Sequence, residues 1–110
     1  MPVWGTRNLS TAASQVVVTT TGAQIVAANH NRVSLLLQHQ GSSTEDPCLL
    51  KLGGIPAPTD CHYVLATGST TDARDGSGGS LHLTKWRGSV WGIVESTKAT
   101  LSVLEEVDAT

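Results

Sequence analysis

Histidine and carboxylate side chains are the groups in this sequence with the widest chemical repertoire, but their spacing does not favour catalysis. A serine or cysteine nucleophile needs a base within hydrogen-bond reach, and no nucleophile-elbow pattern accompanies any of the four histidines. The carboxylates mostly occupy predicted turns and the C-terminal end, where a solvated surface is the default. We therefore predict that the protein is not an enzyme. The residues considered are His30, His39, His62, His82, Glu45, Asp46, Glu95, Glu105, Glu106 and Asp108.

Thiolate and imidazole groups suit zinc, yet Cys48, Cys61, His62 and His39 lack the spacing of a zinc knuckle or ribbon. The segment 72–79 is rich in glycine and aspartate, but it lacks the alternating acids and closing glutamate of a calcium loop. We predict no metal and no cofactor. The sequence leaves open whether the two cysteines form a disulfide.

Tryptophan beside arginine is a composition typical of interaction surfaces. Trp91 is the exception, because in a chain without phenylalanine it is expected to fill the core. Arg32, early in a predicted strand, is expected to hold a neighbouring turn through its fork of donors or to form a structural salt bridge. The predicted protein-interface residues are Trp4, Arg7, Leu9, Arg32, Trp86 and Arg87.

Length and composition bound the kind of protein. A chain of 110 residues is the size of one domain, and its 39% hydrophobic residues are mainly branched aliphatics, which favours thin β layers. Only 15% of residues are charged and the net charge is -2, so nucleic acid is not an expected partner. The sequence shows no signal-peptide pattern and no apolar stretch able to span a bilayer, so no membrane association is predicted.

Strand-forming segments separated by polar turns run along most of the chain. Alternation such as Leu81 and Leu83 against His82 indicates half-buried strands. The run 33–37 is apolar on both faces, which predicts cover by another sheet or another subunit. We predict an extended N-terminal arm over 1–14, a β-sandwich domain over 15–110 and a long loop over 67–79. The predicted strands are 15–20, 23–28, 32–39, 48–52, 62–66, 80–85, 89–95 and 100–107.

The order of these segments resembles the small β-sandwich virion proteins of tailed bacteriophages. The resemblance covers roughly 24–106 and rests on the order of five pieces of sequence and a glycine-rich loop, although His39 stands where such proteins usually have asparagine. The pieces are Gln-Ile-Val-Ala-Ala-Asn at 24–29, Asn-Arg-Val-Ser-Leu-Leu-Leu-Gln-His at 31–39, Leu-Lys-Leu-Gly-Gly at 50–54, Gly-Ser-Val-Trp-Gly-Ile at 88–93 and Leu-Ser-Val-Leu-Glu at 101–105, and the glycine-rich loop precedes the fourth.

The resemblance implies an antiparallel, jelly-roll-like β-sandwich that serves as a capsid decoration, or cement, protein. Such a protein is made in the host cytoplasm, sits on the virion surface as a homotrimer, and binds the major capsid protein. One alternative is a tail, fibre or head-surface module that binds host carbohydrate through exposed Trp86 and Tyr63. Another is a head-to-tail or tail-completion structural protein.

Overall fold

The structure is a computed structural model that describes residues 9–68 and 77–108. Within these residues every regular element is a β-strand, and none is a helix long and apolar enough to cross a membrane. The strands are β1 Leu9–Val18, β2 Ala23–Val26, β3 Arg32–His39, β4 Cys48–Leu52, β5 Tyr63–Leu65, β6 Ser80–Leu83, β7 Val90–Ile93 and β8 Ala99–Asp108.

The strands form two four-stranded antiparallel sheets. The first sheet has the order β1-β8-β3-β6 and the second has the order β2-β7-β4-β5. Consecutive strands therefore alternate between the sheets for much of the chain, which is the strand order of a jelly roll. The predicted all-β, antiparallel sandwich of eight strands is confirmed.

The first strand begins earlier than the sequence indicated. Residues 9–14, which we assigned to an extended arm, form the first part of β1 and pair in register with β8 as far as Asp108. Apart from Thr11, the small residues of this segment, such as Ala12 and Ala13, carry little strand preference of their own. Their backbone hydrogen bonds to β8, rather than their side chains, determine the strand. The rest of the predicted arm, residues 1–8, lies outside the described residues.

The core lies between the two sheets and is aliphatic. Side chains point inward at alternate positions, as the pleat of a strand requires. Gly92 lies at its centre, where an added Cβ would come within 2.8 Å of Ile25 Cδ1 and 3.1 Å of Cys48 Sγ. The buried residues of this cluster are Val18, Leu35, Leu37, Ala99, Leu101 and Val103 from the first sheet, Ile25, Cys48, Leu50, Leu65 and Val90 from the second, and Val94 just after β7.

Trp91 lies on the other face of its strand. Val90 and Gly92 on either side of it are buried, whereas Trp91 is half-buried and pairs with Gln24 and Lys51 on the outside of the second sheet. The prediction that Trp91 fills the core is therefore wrong. Its indole Nε1 donates a hydrogen bond to Ser89 Oγ at 3.1 Å.

Asp46 ties the turn before β8 to the rest of the fold. Its Oδ2 accepts hydrogen bonds from the backbone N–H groups of Thr97 at 2.6 Å and Ser96 at 2.8 Å. These hydrogen bonds stabilise the carboxylate and so lower the pKa of Asp46.

The buried His39 ring is also fully hydrogen-bonded. His39 Nε2 donates to the backbone oxygen of Asp46 at 2.7 Å, and His39 Nδ1 accepts from the N–H of Gly41 at 2.9 Å.

Replacing Asp46 by asparagine should remove part of the acid sensitivity of the fold. Because the folded-state pKa is lowered, the carboxylate contributes stability above its unfolded pKa of roughly 3.9, and this stability is lost as the pH falls through the lower folded pKa. The melting temperature of Asp46→Asn should thus lie below that of the wild type at neutral pH, and the gap should narrow in acid. Circular dichroism melts across the acid range measure this gap.

Glu95→Gln is the matched control, since Glu95 is an exposed acid close to the same turn. Its melting temperature should follow that of the wild type across the whole pH range. A constant gap between Asp46→Asn and the wild type down to strong acid would contradict this role of Asp46.

Candidate interaction surface

Arg32 forms a buried cluster at one end of the sandwich, where it is 1% exposed. Its Nε donates to Glu105 Oε2 at 2.7 Å. Its Nη1 donates to the backbone oxygen of Gly88 at 2.8 Å and that of Trp86 at 3.3 Å, and its Nη2 donates to the backbone oxygen of Ala27 at 2.5 Å. The planar guanidinium thus uses both of its edges inside the fold.

Both alternatives offered for Arg32 are present together, because the side chain holds the 86–88 turn and also forms a salt bridge. Buried as it is, the side chain acts within the chain and offers no surface to a partner. Arg87 is exposed, yet its Nε donates to the backbone oxygen of Arg32 at 3.1 Å. Trp86 is half-buried and packs against the core.

Leu9 starts the edge strand β1, whereas Trp4 and Arg7 lie outside the described residues. All ten residues of β1 pair with β8 without a bulge, and on its other side β1 has no neighbouring strand within the described chain. The strand contains no charged residue and no proline. Charged residues, prolines and bulges usually protect a sheet edge from pairing with another chain, and β1 has none of them.

The other three sheet edges are protected by their geometry. β6 has four residues and β5 has three, so each offers few free backbone groups. β2 has four residues and its pairing with β7 shifts between Gln24 and Val26. Short strands and bulges both discourage edge pairing. β1 is thus the long, regular edge of the described part of the sandwich.

The outward side of the first sheet, which we call the outer face, carries one apolar row among mainly Ser, Thr and Gln side chains. The register aligns Ala13, Leu104, Leu36 and His82 in one row across its four strands. No second sheet covers this row within the described chain, and that leaves Leu36 39% and Leu104 42% exposed. The sequence of 33–37, which is apolar on both faces of the strand, had indicated this outward apolar row. The other exposed apolar side chains of the face are Leu9 and Val17.

A shallow pocket of about 380 Å³, the edge pocket, lies on the opposite side of the molecule from β1. It lies between the edge strands β5 and β6, so it opens where neither sheet continues. Sequence reasoning named Trp86 and Tyr63 as a possible pair but did not find their neighbours. The lining residues are Leu52, Tyr63, His82, Leu83, Thr84, Lys85 and Trp86.

No metal-binding cluster of His, Cys, Asp or Glu is present among residues 9–68 and 77–108. Cys48 and Cys61 are both free thiols. Burial raises the pKa of the Cys48 thiol to about 12, so this group is a small core side chain rather than a reactive thiolate. Cys48 pairs with Leu65 at the far end of the β4–β5 ladder, whereas Cys61 precedes β5.

The strand order and the enclosed aliphatic core define a β-sandwich of the jelly-roll class. No protein-family model and no curated protein matches the chain. One solved structure is similar, with a TM-score of 0.57 over 100% of this chain and 96% of the other. That chain comes from Bacillus endospore appendages, described as a novel family of disulfide-linked pili, and is 12% identical to this one. At this identity the likeness shows the fold alone.

Removing the Arg32 side chain should destabilise the fold strongly. Arg32→Ala leaves the carboxylate of Glu105 and several backbone oxygens without their donor, and breaking a buried ion pair costs about 3–5 kcal/mol. Arg32→Lys should lose less, because it keeps the charge but not the fork of donors. The free energy of unfolding in urea measures both changes.

Arg87→Ala provides the control, since it removes one hydrogen bond of an exposed side chain in the same cluster. We expect it to cost about 0.5–1.5 kcal/mol. If Arg32→Ala unfolds at the same urea concentration as Arg87→Ala, the buried contacts of Arg32 do not stabilise the fold more than the hydrogen bond of Arg87 does.

Proposed function

We propose that the protein is a bacteriophage capsid decoration protein that binds the outer surface of the major capsid protein shell and stabilises the head. The observation that carries this proposal is the combination of the β1 edge, which has no charge, proline or bulge, with the apolar row of the outer face beside it. The sequence resemblance over 24–106 supports the same function. In this proposal the protein is not an enzyme, is made in the host cytoplasm and ends on the virion surface.

The β1 edge can add an extended segment of another chain to the first sheet. Main-chain hydrogen bonds supply affinity in such strand addition, and side chains at alternate positions supply specificity. Leu9, Ala13 and Val17 point to the outer face at those positions and would be covered by the added segment or by the shell surface. Because β1 is uncharged, it brings no repulsion to this contact.

Repetition compensates for the small size of each contact. A shell presents the same site hundreds of times, and linked modest contacts resist separation far better than a single one. The homotrimer that the resemblance implies would join three such contacts and would cover further apolar surface between copies. Trimerisation stays a prediction of this proposal, and the mass of the purified protein in solution tests it.

A second candidate is a subunit of a self-assembled filament. The similarity to a pilus chain supports it at the level of the fold. The β1 edge supports it as well, because a contact between β1 and a different surface of the next copy generates an open chain wherever its rotation does not close a ring. This candidate and the decoration protein use the same surface but differ in the partner.

Mixing the protein with expanded shells of the cognate phage, sedimenting them and counting bound copies tests the proposal. We expect saturation at about one copy per major capsid subunit, as trimers on threefold positions require. Ala13→Lys places a charge on the outer face of the edge strand and should weaken binding about tenfold or more.

Thr59→Lys is the control, because it adds the same charge at an exposed position in the segment that joins β4 and β5 of the other sheet. It should bind as the wild type does.

Absence of shell binding by the wild type would overturn the decoration proposal. Filaments in electron micrographs of the protein alone would then support the second candidate, and a ring of few copies at the head vertex would support a connector.

A further inference from the structure

The edge pocket combines two aromatic side chains from different sheets. Tyr63 comes from β5 of the second sheet, and Trp86 follows β6 of the first sheet. Tyr63 is 38% exposed. The volume of about 380 Å³ falls within the range of small-molecule sites, which hold a few polar groups around an apolar lining. The pocket therefore has the size and composition of a site for one or two rings.

Trp86 is held in a fixed orientation. Its Nε1 donates to the backbone oxygen of Ser89 at 3.0 Å, so the indole N–H is already satisfied. The six-membered ring lies close to two glycines, because a Cβ added at Gly88 would come within 2.5 Å of Cζ2 and one at Gly53 within 3.9 Å. What Trp86 offers the pocket is thus rigid apolar surface, against which a flat ligand can stack without reordering the side chain.

Four polar side chains around this surface are free to bind a ligand. Tyr63, His82, Thr84 and Lys85 line the pocket, His82 from the outer face of β6, and none of their side chains has a hydrogen bond or an ion pair with another described residue. No aspartate or glutamate is among the lining residues. Lys85 therefore makes the pocket locally positive in a chain whose net charge is -2.

We propose that the edge pocket binds an acidic saccharide. A sugar ring has an apolar face that can stack on Trp86 and Tyr63, and its hydroxyl groups match the hydroxyl and imidazole groups at the rim. A carboxylate on the sugar would pair with the unpartnered ammonium of Lys85, and hydrogen bonds between ionised groups are about twice as strong as neutral ones. A neutral sugar leaves this ammonium unused.

The site is separate from the β1 edge that the proposed capsid function uses. β1 and β6 form opposite edges of the first sheet, so docking through β1 leaves Tyr63 and Trp86 of the pocket uncovered, whereas His82 also belongs to the outer face. A decoration protein with this pocket would display a saccharide site on the virion. A protein that fails to bind a saccharide could still bind the shell, and a protein that fails to bind the shell could still bind a saccharide.

Isothermal titration of the full chain with tri-galacturonic acid and with the methyl glycoside of N-acetylneuraminic acid tests the proposal. Weak sites of this kind have dissociation constants of about a millimolar or below. At least one of these acidic probes should bind. The uncharged methyl ester of the bound probe should bind at least about fivefold more weakly, because it cannot pair with Lys85.

Exposed side chains provide variants that keep the fold, which matched circular dichroism spectra confirm. Tyr63→Ala should weaken binding of the acidic probe about tenfold, and Lys85→Gln should remove the preference over the methyl ester. Lys98→Gln, in the turn before β8, is the control and should bind as the wild type does. Binding of neither acidic probe, equal binding of acid and ester, or an equal loss in Lys98→Gln would overturn the proposal.

Discussion

The guanidinium of Arg32 imposes the constraint around which one end of the sandwich is arranged. A buried charge is tolerated only when its donors are satisfied, and here the acceptors come from Glu105 of β8, from Ala27 after β2 and from the 86–88 turn before β7. Glu105 belongs to the first sheet, and Ala27 and the 86–88 turn adjoin strands of the second sheet. The bulge in the β3–β8 ladder between Arg32 and Ser34 allows the side chain to turn inward at this point.

The core is aliphatic and thin. With no phenylalanine, the space between the sheets is filled by leucine and valine, and at Gly92 by the side chains of its neighbours. Outside the core, Ile55 and Val64 are exposed after β4 and in β5, and Leu36 and Leu104 are exposed together in the apolar row of the outer face. Such a patch beside an unprotected edge suits assembly. The polar and aromatic edge pocket lies at the far edge of the same sheet.

Alternation and turn residues are local properties of the chain, and they correctly predicted eight strands and a sandwich. These local properties did not predict features that depend on pairing between distant parts of the chain. The start of β1 depends on its ten-residue pairing with β8, because Ser and Ala give no local sign of a strand and Thr11 is the one β-branched residue among positions 9–14. Trp91 was assigned to the core because the chain lacks phenylalanine, and composition does not say on which face of its strand a residue lies. Apart from Ala27, the partners of Arg32 lie 54 to 73 residues away along the sequence. The sequence could therefore indicate which hydrogen bonds Arg32 can donate, but not which groups accept them.

The central claim is that β1 and the outer face meet the other subunits of an assembly. Hydrogen exchange of the backbone amides of Leu9–Val18, compared between the free chain and the chain bound to its shell or filament, tests it most directly. Amides that point away from β8 alternate with those bonded to it, so they should exchange rapidly in the free chain and become protected on assembly. Unchanged exchange along β1, with new protection elsewhere, would contradict the account.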